Sequence, residues 1–303
     1  MTSTSLQVWY GRLTTRRRLA VESWGLVAPS IGWLLAFLIL PCLVFAVVAF
    51  AGRDPYGRIV WDFTSENFHR LAGFGFLGWS ADYLRIFWRS LWVATLTTGL
   101  CVLLAYPLAF FIAASSPRFR VVWMSLIVVP MCTNLVVRTY AWELVLSPGM
   151  PPAEVAAWLG LIDPGEGLYP GMTAVLLGMV ANALPFAVLP LYTSVERMDW
   201  SIVEAARDLY AGPVRAFFQA ILPQTLPSLS VAVILTFVPA LGMFVITDRL
   251  GGRLFQILGN AIQQQFYDAR DYPFGSAISL VLVAFTLLGL YLYRRLGRQV
   301  HVL

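Results

Sequence analysis

Residues Glu204 to Pro227 read EAARDLYAGPVRAFFQAILPQTLP, a polar and amphipathic interruption between two long apolar runs. Ile202, Ala205, Ala206 and Leu209 fall at i, i+3, i+4 and i+7, a spacing that predicts one apolar helical face. Glu204, Arg207 and Asp208 take the opposite face. Gly212 supplies a residue suited to a left-handed position after the helix, and Pro213 is pre-set to start another. Phe217, Ala220 and Ile221 make the apolar stripe of that second helix, which Pro223 and Pro227 are expected to break. The segment from about 199 to 223 thus predicts a helix, a corner and a helix hung between two membrane spans. Ser201 and Glu204 also form S-x-x-E, so a plainer role stays open for Glu204: closing a capping box, or sharing a solvated face with Asp208.

The rest of the chain explains why such an interruption stands out. Hydrophobic residues make up 59% of the 303 and charged residues 12%, about half the charged share of a soluble domain. Mean hydropathy is +0.73, and several apolar runs exceed the ~20 residues that cross a bilayer as a helix. The composition predicts an all-α, polytopic membrane protein with the lipid bilayer as its surroundings. All 21 basic side chains are arginine, and they cluster beside the first and last apolar runs. The net charge of +5 therefore points to topology and not to nucleic acid. Cys42, Cys101 and Cys132 lie inside apolar runs at no metal spacing, which offers neither a metal site nor a disulfide framework.

Six spans are expected, at about 25–50, 90–115, 121–146, 171–192, 228–246 and 274–293, within one membrane domain from 25 to 296. The first run is too long for a signal-peptide core and reads as an uncleaved helix, kinked near Pro29 or Pro41. Between it and the second, residues 51–87 carry Trp61, Phe63, Phe74, Phe76 and Trp79, suited to an interfacial segment or an ordinary packed loop. With six spans both tails, 1–24 and 297–303, share a side. That side holds twelve arginines, among them Arg12, Arg16, Arg118, Arg120, Arg207 and Arg298, and the other side holds eight, Arg253 among them. The bias places both termini and the 199–223 segment in the cytoplasm.

No catalytic set is present in the sequence. The two histidines, His69 and His301, stand alone, and a chain without lysine cannot contain a Walker A lysine. What remains is a group of polar residues at membrane depth, costly unless they face protein or a watery path. Tyr140, Trp142 and Glu143 in the third run, Asn182 in the fourth and Asp248 at the end of the fifth are the candidates for such a path. Arg138 is expected to pair, with Glu143 or with a partner subunit, or to lie outside the path.

The spacing of Glu204-Ala205-Ala206, Gly212 and Ile221-Leu222-Pro223 resembles the EAA signature of the permease subunits of binding-protein-dependent ABC importers. The resemblance implies the type I importer permease fold, with six transmembrane helices and a cytoplasmic coupling helix. In that reading Glu204, Ala205, Ala206, Arg207, Asp208, Leu209 and Gly212 dock in a groove of an ATP-binding subunit. Val137-Arg138-Thr139-Tyr140-Ala141-Trp142, Asp248-Arg249-Leu250-Gly251-Gly252 and Phe266-Tyr267-Asp268-Ala269-Arg270-Asp271-Tyr272-Pro273 are similar to spermidine/putrescine permeases of the PotB/PotH type. This implies, in the bacterial inner membrane, a heterodimer with a second permease, an ATPase dimer and a periplasmic binding protein that delivers a polyamine. No cofactor or metal is implied. Carboxylates and aromatic rings at 140, 142, 143 and 248 are chemically suited to ammonium groups. The chain departs from the pattern at Tyr210, where leucine or glycine is usual, and at Glu143, where an apolar residue is expected. Other solutes of the same fold (thiamine, iron, sulfate, organic anions) and a non-transport scaffold remain the alternatives.

Overall fold

The computed structural model describes residues 17–54, 56–75, 78–252 and 255–300. Arg12, Arg16, Phe76, Arg253 and His301 lie outside the described residues. The chain is helical throughout, apart from two minimal hairpins. In order the elements are α1 (Arg17–Ala49), β1 (Gly52–Arg53), β2 (Ile59–Val60), α2 (Glu66–Leu71), β3 (Phe74–Gly75), β4 (Gly78–Trp79), α3 (Asp82–Ala114), α4 (Pro117–Val128), α5 (Leu135–Val145), α6 (Pro151–Trp158), α7 (Met172–Glu196), α8 (Trp200–Asp208), α9 (Pro213–Ala216), α10 (Leu222–Gly242), α11 (Phe244–Leu250), α12 (Leu258–Tyr267) and α13 (Tyr272–Val300). β1 pairs antiparallel with β2, and β3 with β4.

Among the described residues, five segments are long and apolar enough to cross a membrane: Val27–Ala49, Asp82–Ala114, Met172–Glu196, Pro213–Gly242 and Tyr272–Tyr291. The expected third span is different. α4 and α5 are joined through a 3-10 turn, Val129–Cys132, and are bent against each other by 102°. Pro130 occupies the tight turn, Thr133 is extended, and Asn134 restarts the helix by accepting the N–H of Val136 at 2.8 Å. A straight span over 121–146 therefore becomes a broken one, because a cap and a proline sit side by side in the middle of it.

The core lies where α3, α7 and α10 pack together. Cys101, Ala105 and Ala109 of α3 meet Ala183, Ala187, Val188 and Leu191 of α7 and Ala232 of α10, all buried. Small residues at i and i+4 let these backbones approach, so dispersion contacts replace the hydrophobic drive that lipid does not supply. Farther along α7, Gly178 admits α11: a Cβ there would lie 2.6 Å from Leu250 Cδ1. α1 stands apart from this trio and packs on α13.

Three boundaries differ from the sequence reading. α3 begins at Asp82, before the apolar run, because the aromatic and arginine-containing turns ahead of Ser90 are still helical. The expected break at Pro223 and Pro227 is absent. The chain passes from α9 through a π turn, Phe217–Ile221, into α10. That turn ends just before Pro223, whose missing N–H would otherwise bond Gln219. The real break in the fifth span is at Met243, between α10 and α11. The two long loops also hold structure of their own, α6 in one and α11 and α12 in the other. In the segment after α1, Tyr56, Trp61, Phe63, Phe74 and Trp79 are exposed, and Asn67 donates to the carbonyls of Ala49 and Ala51 at 2.9 Å each, closing the end of α1.

Candidate functional site

α8 is built by its caps. Asp199 accepts the backbone N–H of Ser201 at 3.0 Å and its hydroxyl at 2.7 Å. These two donors, the hydroxyl foremost, hold the Asp199 carboxyl below the ordinary carboxylate range. The capping box left open for Ser201 and Glu204 is not formed: Asp199 is the N-cap, and Ser201 already belongs to the helix. At the other end Ala211 donates to Ala206 O at 3.0 Å and Tyr210 to Arg207 O at 2.9 Å. This is a Schellman closure, and its left-handed residue is Tyr210, at φ +60°. The sequence reading gave that position to Gly212. The helix ends at Asp208, which leaves Gly212 to cap α9 in extended geometry, φ −62°.

The apolar face of α8 is also corrected. Val203 is the buried residue, packed with Met198 and Ala220, while Ala206 and Ile221 close the same cluster. Of the expected stripe only Ala206 turns inward. Ile202 and Leu209 are exposed, Leu209 to 82%. The inward side has room for little more than Val203, because Met198 and Ala220 fill it. Glu204, Ala205, Arg207, Asp208, Leu209 and Gly212 therefore share one open surface with Tyr210 (95% exposed), Val214 and Phe218. Charged Glu204, Arg207 and Asp208 stand beside exposed Leu209 and Tyr210 here, just ahead of the candidate span Pro213–Gly242.

The five candidates for a path do not gather into one site. Asn182 accepts a hydrogen bond from Arg138 Nη2, and Arg138 Nη1 donates to Pro130 O at 2.8 Å. Both border a cavity of about 220 Å³ that Thr97, Met131, Phe186 and Met243 help line. Arg138 thus pairs with an amide and with a carbonyl released by the break, and not with Glu143. Glu143 instead accepts the Tyr169 hydroxyl on Oε1 at 3.0 Å, and its Oε2 is buried with no hydrogen-bond partner. That bond, first, and burial second, raise the Tyr169 hydroxyl above its ordinary pKa. Trp142 packs into the apolar cluster around Leu146, Val175 and Leu250. Tyr140 lies under the Arg249 guanidinium, 4.8 Å from ring centre to carbon. Asp248 lines a separate polar recess of about 460 Å³ together with Asp268, Phe255, Gln256, Gln263 and Gln264.

Sequence reasoning missed Tyr169, Asp268 and a buried carboxylate, Asp271. The last accepts Arg70 at 3.0 Å and Arg53 at 3.4 Å, and its other oxygen takes the N–H of Phe274 at 3.2 Å. Its place before Tyr272-Pro273 at the start of α13 is a local capping signal, but its arginine partners lie some two hundred residues upstream, beyond any local signal.

Comparison with known proteins bears on these surfaces together. The family described as binding-protein-dependent transport system inner membrane component matches residues 105–302. The chain belongs to that family. The permease is 35% identical over 272 residues to the spermidine/putrescine transport system permease protein PotB of Salmonella typhimurium (strain LT2), covering 90% of this chain and 92% of that one. PotB of Haemophilus influenzae is 33% identical over 272 residues, covering 90% and 93%. Among solved structures, a bacterial alginate ABC transporter in complex with a pentasaccharide-bound periplasmic protein superposes with a TM-score of 0.70 at 16% identity, covering 95% of this permease and 98% of that chain. The permease is thus a multi-pass, inner-membrane transport component with the fold of an ABC-importer permease. The matched residues run from the middle of α3 through α13 and include α8, the bent pair and every candidate for the path.

Proposed function

We propose that this permease forms half of the pathway of a polyamine importer, taking spermidine or putrescine from a periplasmic binding protein. A second permease completes the pathway, and a separate ATPase dimer drives it. The observation that carries this reading is the 33–35% identity with PotB over 90% of the chain. The recess at Asp248 and Asp268 supports it, because two carboxylates with amide neighbours and an aromatic ring suit a flexible polyammonium chain. An anionic solute finds less support. Arg138, the residue it would need, directs its guanidinium to Pro130 and Asn182.

In this reading the exposed surface of Glu204, Ala205, Ala206, Arg207, Asp208, Leu209 and Gly212 faces the cytoplasm and docks on the ATP-binding subunit. Both termini share that side, in keeping with the arginine bias. A chain without lysine leaves ATP hydrolysis to that subunit. Tyr140, Trp142, Glu143, Asn182 and Asp248 lie along or beside the path. Glu143 and Asp248 bear its negative charge, while Asn182 and Trp142 support its wall.

The test is ATP-driven uptake of labelled spermidine into vesicles holding the complete transporter, with unlabelled putrescine, thiamine or sulfate as competitors. Competition by putrescine alone is expected. Competition by sulfate or thiamine, with none by putrescine, would overturn the assignment of solute. Glu143→Gln is expected to lower polyamine uptake several-fold while keeping the Tyr169 bond. Unchanged uptake would remove Glu143 from the path.

A further inference from the structure

The chain leading into α8 is tied to the bundle by an ion pair at Glu196, the end of α7, and by Gln224, beside the packing of Val203 on Met198 and Ala220 and of Trp200 on Phe110. Glu196 is the last residue of α7, three positions before the cap of α8. Its Oε1 accepts Arg120 Nη1 at 2.5 Å. Arg120 stands in the first turn of α4, and its Nη2 donates to Ala113 O at 2.8 Å, satisfying one of the carbonyls that the end of α3 leaves free. A single guanidinium therefore joins three elements: the end of α3, the start of α4 and the residue that leads into α8. Arg120 Nε is buried without a hydrogen-bond partner, and Tyr192 of α7 stands beside both members of the pair. The other fastening is Gln224 of α10, whose Oε1 accepts Asp199 N at 3.0 Å and whose Nε2 donates to Asp199 O at 3.3 Å. Met198, between the two, is buried against Val203 and Ala220, leaving little slack in the connection.

We infer that Arg120 and Glu196 form a strut that carries displacement of α8 into α4. From α4 the chain leads directly to the broken span and to the Arg138–Asn182 contact at its cavity. Gln224 fixes α8 to α10, and the strut makes the α3–α4 corner follow the same movement. A planar guanidinium bonding two acceptors in different directions transmits such a movement. An ammonium at the same place supplies charge without both directions. This inference rests on the docking of α8 proposed above.

The experiment uses the whole transporter in proteoliposomes, with three readouts: retention of the ATP-binding subunit, ATP hydrolysis, and spermidine imported per ATP hydrolysed. Glu196→Gln and Arg120→Lys are expected to retain the subunit and to hydrolyse ATP, while import per ATP falls roughly fivefold or more, the scale of a typical coupling between sites. Exchange of the charges, Arg120→Glu with Glu196→Arg, is expected to regain a substantial part of the loss. Variants that import as the parent does per ATP would overturn the strut. So would variants that lose the ATP-binding subunit together with import and are not rescued by the exchange, since the pair would then be a fastening of the fold only. Failure of the parent transporter to hold the subunit would overturn the docking reading, and the strut with it.

Discussion

Tyr210 is the residue that most separates folding from docking in this chain. A left-handed conformation costs an L-residue about 1–2 kcal/mol, and Tyr210 holds it within the Schellman closure while 95% exposed. Tyr210→Gly is expected to stabilise the isolated permease by about 1 kcal/mol, measured as a rise in Tm in detergent, while weakening retention of the ATP-binding subunit. Gly212 makes the complementary case. Its φ is ordinary, and a Cβ there would meet nothing within 4 Å. Gly212→Ala should leave the stability of the isolated permease within about 0.5 kcal/mol and still lower subunit retention and uptake. The glycine then answers to the partner and not to this backbone. The sequence reading placed the corner correctly between 208 and 213 but assigned its left-handed residue by glycine preference alone. Helix length decided otherwise.

Asp199 adds a pH dependence with a definite sign. Its folded pKa is lowered by the Ser201 hydroxyl and then by the Ser201 N–H. The cap is therefore fully present above the ordinary aspartate value and is lost as pH falls through the lower, folded one. Trp200, the first residue of α8, reports on it. Its emission is expected to stay constant from neutral pH down to the ordinary aspartate range and to change below it. In Asp199→Asn, which keeps an acceptor without a titrating group, that change should disappear. A transition of the same size in the Asn variant would assign the change elsewhere.

At the scale of elements, the broken span is the lesson. Hydropathy over 121–146 averages as apolar despite Asn134, Arg138 and Glu143, so a window average sees one helix. The signals for the break were present as single residues, Pro130 and Asn134, without a means of telling a kink from a 102° turn. The turn is fixed by Arg138, which lies one turn into α5 and reaches back to Pro130 and across to Asn182. Arg138→Ala removes both bonds and leaves the Asn182 acceptor without its donor. The expected loss is about 1–3 kcal/mol, read as a lower Tm. A Tm equal to the parent's would show that the bend is held by α4 and α11 packing alone. The helical class and the five long spans were legible from composition and apolar runs. The continuation of α10 through Pro223 was not, because a π turn has no periodicity that distinguishes it in sequence.

At the scale of the molecule, the informative contacts are those that join distant parts of the chain. Asp271, nearly fully buried, ties the segment after α1 and α2 to the start of α13 through Arg53 and Arg70. Asp271→Asn is expected to cost about 1.5–3 kcal/mol, the scale of hydrogen bonds to a charged group, with the arginines' partial exposure keeping it at the lower end. No window of sequence could have paired these residues. The same holds for Glu143 with Tyr169, and for the dispersal of the five path candidates. The family signature, by contrast, was legible as a spaced pattern within one short stretch, 204–223, with no long-range contact to infer.

The central claim is that α8 is the surface this permease presents to an ATP-binding subunit, on the side of both tails. A photo-crosslinking residue placed at Ala205 of α8 and, separately, at Trp158 of α6, exposed in the loop expected on the opposite side, tests it in native membranes that hold the whole transporter. The account predicts an adduct with the ATP-binding subunit from position 205 and none from position 158. An adduct from 158 and none from 205 would contradict both the docking surface and the orientation.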